Sequence, residues 1–163
     1  FPTDAWSETM MAAELASPHG SYVVVEEAGR IVGYGGVRAV RGAADADIQT
    51  IALETAARGT GRGRMLLAAL LEHAREAGAK AMFLEVRDDN TVARNLYQRE
   101  GFIETGRRRR YYQPDDVDAI IMQLDLVGWE AARREAGGDA ALAAEQPSGG
   151  NRGAAQASGG ACT

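Results

Sequence analysis

The run Arg58-Gly59-Thr60-Gly61-Arg62-Gly63-Arg64, followed at once by Met65-Leu66-Leu67-Ala68-Ala69-Leu70-Leu71, decides the fold of this chain. Its second half has helical spacing. Leu66, Leu67, Leu70, Leu71 and Ala74 form one apolar stripe, which predicts a helix over Arg62 to Ala77 stopped by Gly78. In its first half, three glycines within five residues remove side chains where a backbone must come close to a ligand. A loop that opens directly into a helix aims unpaired N–H groups and the positive end of the helix dipole at one point. Arg58, Arg62 and Arg64 add charge there, so a pyrophosphate is the natural guest. The plainer reading of an isolated loop of this kind is a flexible connection with solvated arginines. Two familiar phosphate motifs do not match, because there is no Gly-Lys-Ser/Thr ending and the spacing is not G-x-G-x-x-G. What stands is R-x-x-G-x-G, with Arg58, Gly61 and Gly63 in the fixed positions.

Outward from this junction the chain alternates apolar segments with turn signals. Upstream, Ser7 predicts a cap for a helix over 8–16, with Trp6 and Met11 spaced as a hydrophobic staple. Tyr22 to Glu27 and Ile31 to Val40 read as a β-hairpin around Ala28-Gly29-Arg30. Gly33, Gly35 and Gly36 in its second strand predict a bulge or a close backbone approach. Asp47 to Leu53 is a third strand. Downstream come a buried-type strand over Ala81 to Val86, a short helix over Thr91 to Arg99, and strands over Phe102 to Arg110 and Asp118 to Leu126. On the short helix, Val92 and Leu96 are spaced i, i+4 and read as core. The order predicts an α/β (α+β) protein with a mixed sheet flanked by helices.

The chain has 163 residues, 45% apolar and 25% charged, as expected of one folded domain. Apolar runs are too short to span a membrane, and no secretory signal is legible. With the lone cysteine at Cys162, these features predict a cytoplasmic protein without disulfides. His19 and His73 have no metal-ligand spacing, so no metal is expected. A net charge of −5 argues against broad nucleic-acid binding. The first residue is Phe1, which suggests that an N-terminal piece is missing. Residues 1–127 are expected to hold the folded domain and 128–163 a disordered Gly/Ala/Ser-rich tail, with Trp129 to Glu135 open to a short helix.

With the loop between a strand and a helix, R-x-x-G-x-G resembles the acetyl-CoA loop of the GNAT superfamily of N-acetyltransferases. Further segments resemble one branch, the RimI-like ribosomal-protein alanine N-acetyltransferases: Phe1-Pro2 before Trp6-Ser7-Glu8, Ile51-Ala52-Leu53, Leu84-Glu85-Val86-Arg87 followed by Asn90, Leu96-Tyr97, Gly101-Phe102, Arg108-Arg109, Tyr111-Tyr112 and Asp118-Ala119-Ile120-Ile121-Met122. The resemblance covers about residues 1–125. It departs from the family in lacking an upstream strand and helix, in the widened spacing between Phe1-Pro2 and Trp6, and in the long tail. An exposed edge on the Tyr22–Glu27 strand is expected to follow.

The resemblance implies a splayed sheet with the pantetheine arm of acetyl-CoA in the opening. It implies backbone contacts from Ile51, Ala52 and Leu53, and a pyrophosphate held by Arg58, Gly59, Thr60, Gly61, Arg62, Gly63 and Arg64. Asn90 would contact the cofactor as well as cap its helix. Glu85, a carboxylate in an apolar strand, would be the general base, the plainer alternative being a solvent-facing partner of Arg87. Tyr97 would be the general acid toward the departing thiolate, the alternative being a packed tyrosine. The run Arg107 to Arg110 reads as a salt-bridged strand end near Asp115, Asp116 and Asp118, or as a flank of the acceptor groove or a contact to ribosomal RNA. The implied activity is acetyl transfer from acetyl-CoA to a protein N-terminus, that of ribosomal small-subunit protein eighteen. The rivals are acetylation of a lysine or small amine, and a non-catalytic acyl-CoA-binding module. The oligomeric state is not legible.

Overall fold

The computed structural model describes the backbone of residues 7–144 and the side chains of residues 7–136. Its elements are α1 (Glu8–Leu15), β1 (Gly20–Glu27), β2 (Arg30–Ala39), β3 (Asp45–Leu53), a 3-10 turn (Thr55–Ala57), α2 (Arg62–Ala77), β4 (Ala81–Arg87), α3 (Thr91–Glu100), β5 (Ile103–Tyr112), β6 (Val117–Asp125) and α4 (Leu126–Ala144). Each expected helix and strand is present, with ends moved by a residue or two. The Trp6 staple lies outside the described residues.

The six strands form one sheet in the order β1-β2-β3-β4-β6-β5. All neighbours are antiparallel except β3 and β4, which run parallel. Ala28 and Gly29 both adopt positive φ and close the β1–β2 hairpin in two residues, a turn whose twist matches that of the strands. As expected, β1 is a sheet edge, paired among the described residues with β2 alone. The glycines of β2 are explained by close approach. A Cβ on Gly33 would sit 2.4 Å from Leu53, and one on Gly36 would sit 2.5 Å from the Tyr22 ring. The register also shifts between Gly36 and Val37, leaving Gln49 as the extra residue of a bulge in β3.

The stripe Leu66, Leu67, Leu70, Leu71 and Ala74 is wholly buried on α2. Leu67, Leu70, Leu71 and Ala74 pack with Val37, Met82, Leu84, Val86, Ile120, Met122 and Leu124 from the sheet and with Tyr97 and Phe102 from α3 and its exit, while Leu66 packs with Val25, Val32 and Ala57. Alternation along the strands therefore assigns one sheet face to α2 and α3. The opposite face carries Tyr22, Tyr34, Arg38, Glu85 and Arg108, and α1 lies against β1 there.

Two expectations need correction. Val92 is 76% exposed, and only Leu96 packs on the core. Their i, i+4 spacing gives one face but not one depth, since Val92 lies in the first turn of α3 and Leu96 one turn further in. The tail expected from residue 128 is helical through Ala144, because alanine, glutamate and leucine favour a helix. Residues 145–163 lie outside the described residues. The chain divides into a unit ending at Ala131 and another beginning at Ala132. No helix among the described residues is long and apolar enough to cross a membrane.

Candidate active site

The parallel strands β3 and β4 pair only at Asp45–Ala81, Ala46–Met82 and Asp47–Phe83, then part. Beyond Asp47, β3 continues for six residues without β4 beside it, so the sheet opens at its centre. Which backbone groups line the opening follows from the antiparallel alternation. The Glu54 N–H donates to the Val32 carbonyl, and Ala52 is in register with Tyr34. Glu54 and Ala52 thus turn their backbone groups toward β2. Ile51 and Leu53 turn theirs toward the opening. One of these is already engaged: the Leu53 carbonyl accepts a hydrogen bond of 3.2 Å from Arg58 Nε.

The glycine loop closes one end of the opening. Gly59 and Gly61 have φ of +72° and +85°, a region that L side chains rarely adopt. Gly61 is the N-cap of α2, and no side chain caps the helix, so its first-turn N–H groups keep room for an anion. A Cβ on Gly63 would come within 3.4 Å of both Leu53 and Leu96, so β3, α2 and α3 converge there. Thr60 Oγ1 donates to the Ala57 carbonyl at 2.6 Å and holds the loop's entry. The arginines have protein partners: Arg62 pairs with Glu27, and Arg64 Nε lies 3.1 Å from Glu100 Oε2. The other oxygen of Glu100 accepts from Trp129 Nε1 at 3.1 Å.

Glu85 and Tyr97 lie on opposite faces of the sheet. Glu85 alternates with buried Leu84 and Val86 and so projects from the face opposite α2. Its partner is not Arg87. Glu85 Oε1 lies 3.1 Å from Arg108 Nη2, which reaches it across β6. Arg87 is buried and donates to both oxygens of Asp89 and to Asp115, with its guanidinium 5.2 Å from the Tyr112 ring centroid. The hydrogen bond from Arg87 holds the Asp89 carboxyl below its usual range.

Tyr97 is 8% exposed and packs against Phe102 with ring centroids 5.7 Å apart. Burial, with a smaller effect of Tyr112, pushes its phenol up to about 12. Asn90 caps α3 by accepting from the Ala93 N–H at 3.2 Å. In the arginine run, Arg107 pairs with Asp88 and Asp118, and the Arg110 N–H donates to Asp118 at 2.9 Å. That backbone bond, and then Arg107, hold the Asp118 carboxyl low. Asp115 and Asp116 belong instead to Arg87 and Gln113.

A sheet opened between two parallel strands, with a glycine loop and a helix N-terminus at one end, matches what comparison finds. The model of the acetyltransferase (GNAT) family matches residues 1–102. The chain belongs to this family. It is 40% identical over 124 residues to the N-alpha-acetyltransferase RimI of Mycobacterium tuberculosis, covering 75% of this chain and 77% of that one. The crystal structure of the ribosomal-protein-S18-alanine N-acetyltransferase from Escherichia coli superimposes with a TM-score of 0.68 at 31% identity, covering 74% of this chain and 77% of that one. The structure of yncA from Salmonella typhimurium, solved with its cofactor acetyl-CoA, gives a TM-score of 0.60 at 25% identity, covering 72% and 70%.

Two features of this GNAT acetyltransferase escaped the sequence. The partner of Glu85 lies on β5, two strands away in the sheet, and no local spacing points to it. The Arg64–Glu100–Trp129 link joins three helices, with no motif to announce it.

Proposed function

We propose that this acetyltransferase moves the acetyl group of acetyl-CoA to the N-terminal α-amine of a protein, and that the acceptor is the alanine terminus of ribosomal protein bS18. The observation that carries the reading is the parting of β3 and β4 after Asp47, with Glu85 on the strand that bounds the opening and Tyr97 buried on the opposite, helix-covered face of the sheet. The names of the Mycobacterium and Escherichia relatives support an Nα-amine as acceptor.

The residues fit a pantetheine and a pyrophosphate. Ile51 and Leu53 turn backbone groups toward an extended amide-bearing arm, the Leu53 carbonyl on release from Arg58, while Ala52 holds the strand against Tyr34. Gly59, Thr60, Gly61 and Gly63 shape the loop, and the α2 N-terminus offers N–H groups to phosphate. Arg58, Arg62 and Arg64 supply charge once they exchange their protein partners for it. Asn90 keeps the start of α3 in place. Acetyl-CoA supplies an activated thioester.

An N-terminal amine has a reference pKa of roughly 7.7–8.0, so freeing it near neutral pH takes about one kcal/mol. Glu85 takes that proton, directly or through a water. The amine nitrogen then forms its bond to the acetyl carbon as the carbon–sulfur bond breaks and the electron pair leaves on sulfur. Tyr97 faces the departing thiolate. A phenol near 12 is a weaker acid than a thiol at roughly 8.5. Its contribution is therefore a strong hydrogen bond to the developing charge, with the last proton coming from solvent.

Mass spectrometry of peptides incubated with the enzyme and acetyl-CoA tests the reading. The set holds an alanine-initiated ribosomal peptide, an N-terminally blocked lysine peptide and a small polyamine. Acetyl on the free alanine terminus alone is expected. Modification of only the lysine peptide or the polyamine would overturn the choice of acceptor.

A further inference from the structure

We propose that Arg108 is a positioning residue that competes with the acceptor's ammonium group for Glu85, holding the carboxylate in the free enzyme and giving way when a cationic amine enters. The inference rests on the reading of Glu85 as the group that faces the acceptor.

The neighbouring charges are committed elsewhere. Arg87 is buried against Asp89 and Asp115, and Arg107 is taken by Asp88 and Asp118. Arg108 alone of these extends across β6 to Glu85, its register partner being Ala119 beside the Ile121 that faces Glu85. An amine that approaches Glu85 from the open face therefore meets a carboxylate already holding a guanidinium at 3.1 Å.

The contact is suited to exchange. The two side chains are 54% and 30% exposed, and an ion pair of such exposure shifts an equilibrium by no more than about fivefold. The displaced guanidinium also has a place to rest, because its Cζ lies 5.4 Å from the centroid of the Tyr111 ring.

A kinetic signature follows. Without Arg108 the bound ammonium meets an uncontested carboxylate, so the ground state deepens. Yet the amine must still lose its proton before it can attack. Loss of the competitor thus lowers KM for the acceptor and lowers kcat with it, a pattern that loss of folding or of general binding does not produce.

The test compares Arg108→Gln, Arg108→Lys, Glu85→Gln and the double variant Arg108→Gln/Glu85→Gln, with an alanine-initiated peptide as acceptor. Steady-state kinetics is joined by calorimetric titration of the same peptide into the CoA-bound protein. For Arg108→Gln we expect acceptor KM and Kd to fall by up to about fivefold and kcat to fall with them, while KM for acetyl-CoA and Tm stay put. Arg108→Lys keeps a competing cation and should stay within about twofold of the parent. In the Glu85→Gln background, removing Arg108 should change nothing further. An Arg108→Gln protein of unchanged Tm whose acceptor KM is unaltered or raised would overturn the proposal. So would a shift that persists undiminished without Glu85. A Glu85→Gln protein with full kcat/KM would instead sink the reading of Glu85 itself, and is recognised from that single variant.

Discussion

In the proposed site, Ile51 and Leu53 serve the central opening through backbone alone, whereas Glu85, Arg108 and Tyr97 serve it through side chains. On the donor side, the groups that would meet pantetheine and pyrophosphate are N–H and C=O groups, oriented by a bulge, two left-handed glycines and an uncapped helix. In the side-chain half, the proposed function hangs on single side chains, Glu85 and Arg108 placed by strand alternation and Tyr97 by α3. A backbone site survives changes of side chain so long as the path of the chain is kept. A side-chain site fails with one atom. The two halves of the opening should therefore answer mutation differently.

The largest effects belong to the side-chain half. Tyr97→Phe removes only a hydroxyl from a buried ring, and kcat should fall roughly 10²–10³-fold, as for loss of one donor to a developing anion. KM for acetyl-CoA should barely move. The same residue carries a pH signature. With its phenol raised from 10.0 to about 12, the folded protein binds that proton more tightly than the unfolded chain does. This contribution to stability is complete below pH 10 and is lost as pH rises through 12, amounting to about 2–3 kcal/mol. Denaturant titrations at pH 9 and 11.5 should show parent protein losing more stability than Tyr97→Phe. Equal losses would mean that the phenol is not held in its buried state.

Glu85→Gln comes next, with about a 10²-fold loss in kcat/KM at pH 7. That deficit should shrink above pH 8, where an N-terminal amine is largely free without help. A deficit constant from pH 6.5 to 9 would argue that Glu85 orients the acceptor and takes no proton.

These contrasts also explain how much the sequence revealed. The stripe Leu66, Leu67, Leu70, Leu71 and Ala74, the cap Ser7 and the stop Gly78 are local signals, and each element they predict is present. The loop was legible because left-handed backbone leaves glycines behind it. The orientation of Ile51 against Ala52 was not, because it depends on ladder phase after the bulge at Gln49, which no residue type encodes. Arg108 was hidden for a similar reason. Its place in a run of four arginines suggested a salt-bridged strand end or a flank of the acceptor groove, and only pairing across β6 turns that one side chain toward Glu85.

On the backbone half, Gly61→Val tests whether the path of the loop matters. Nothing lies within 4 Å of a Cβ at Gly61, so the change meets no clash. Its cost is conformational, of order 1–3 kcal/mol for a β-branched residue at φ +85°. A rise of roughly tenfold in KM for acetyl-CoA is expected, with KM for the acceptor little changed. An unchanged acetyl-CoA KM would show that the loop's backbone does not meet the phosphates.

The smallest effect sharpens the comparison most. Ile51 packs against the core and is only partly buried, so Ile51→Val should cost no more than about 1 kcal/mol of stability. If the residue serves the donor through its N–H and C=O, the valine presents the same groups along the same strand. KM for acetyl-CoA should then stay within about twofold while Tm falls by a few degrees. Stability and donor affinity thus come apart at one position. At Glu85 the opposite separation is expected: activity falls and Tm holds, because its exposed pair with Arg108 adds at most about 1 kcal/mol to the fold. If Ile51→Val raised the acetyl-CoA KM tenfold, the side chain itself would be part of the donor site, and the division between backbone and side-chain halves would fail at its centre.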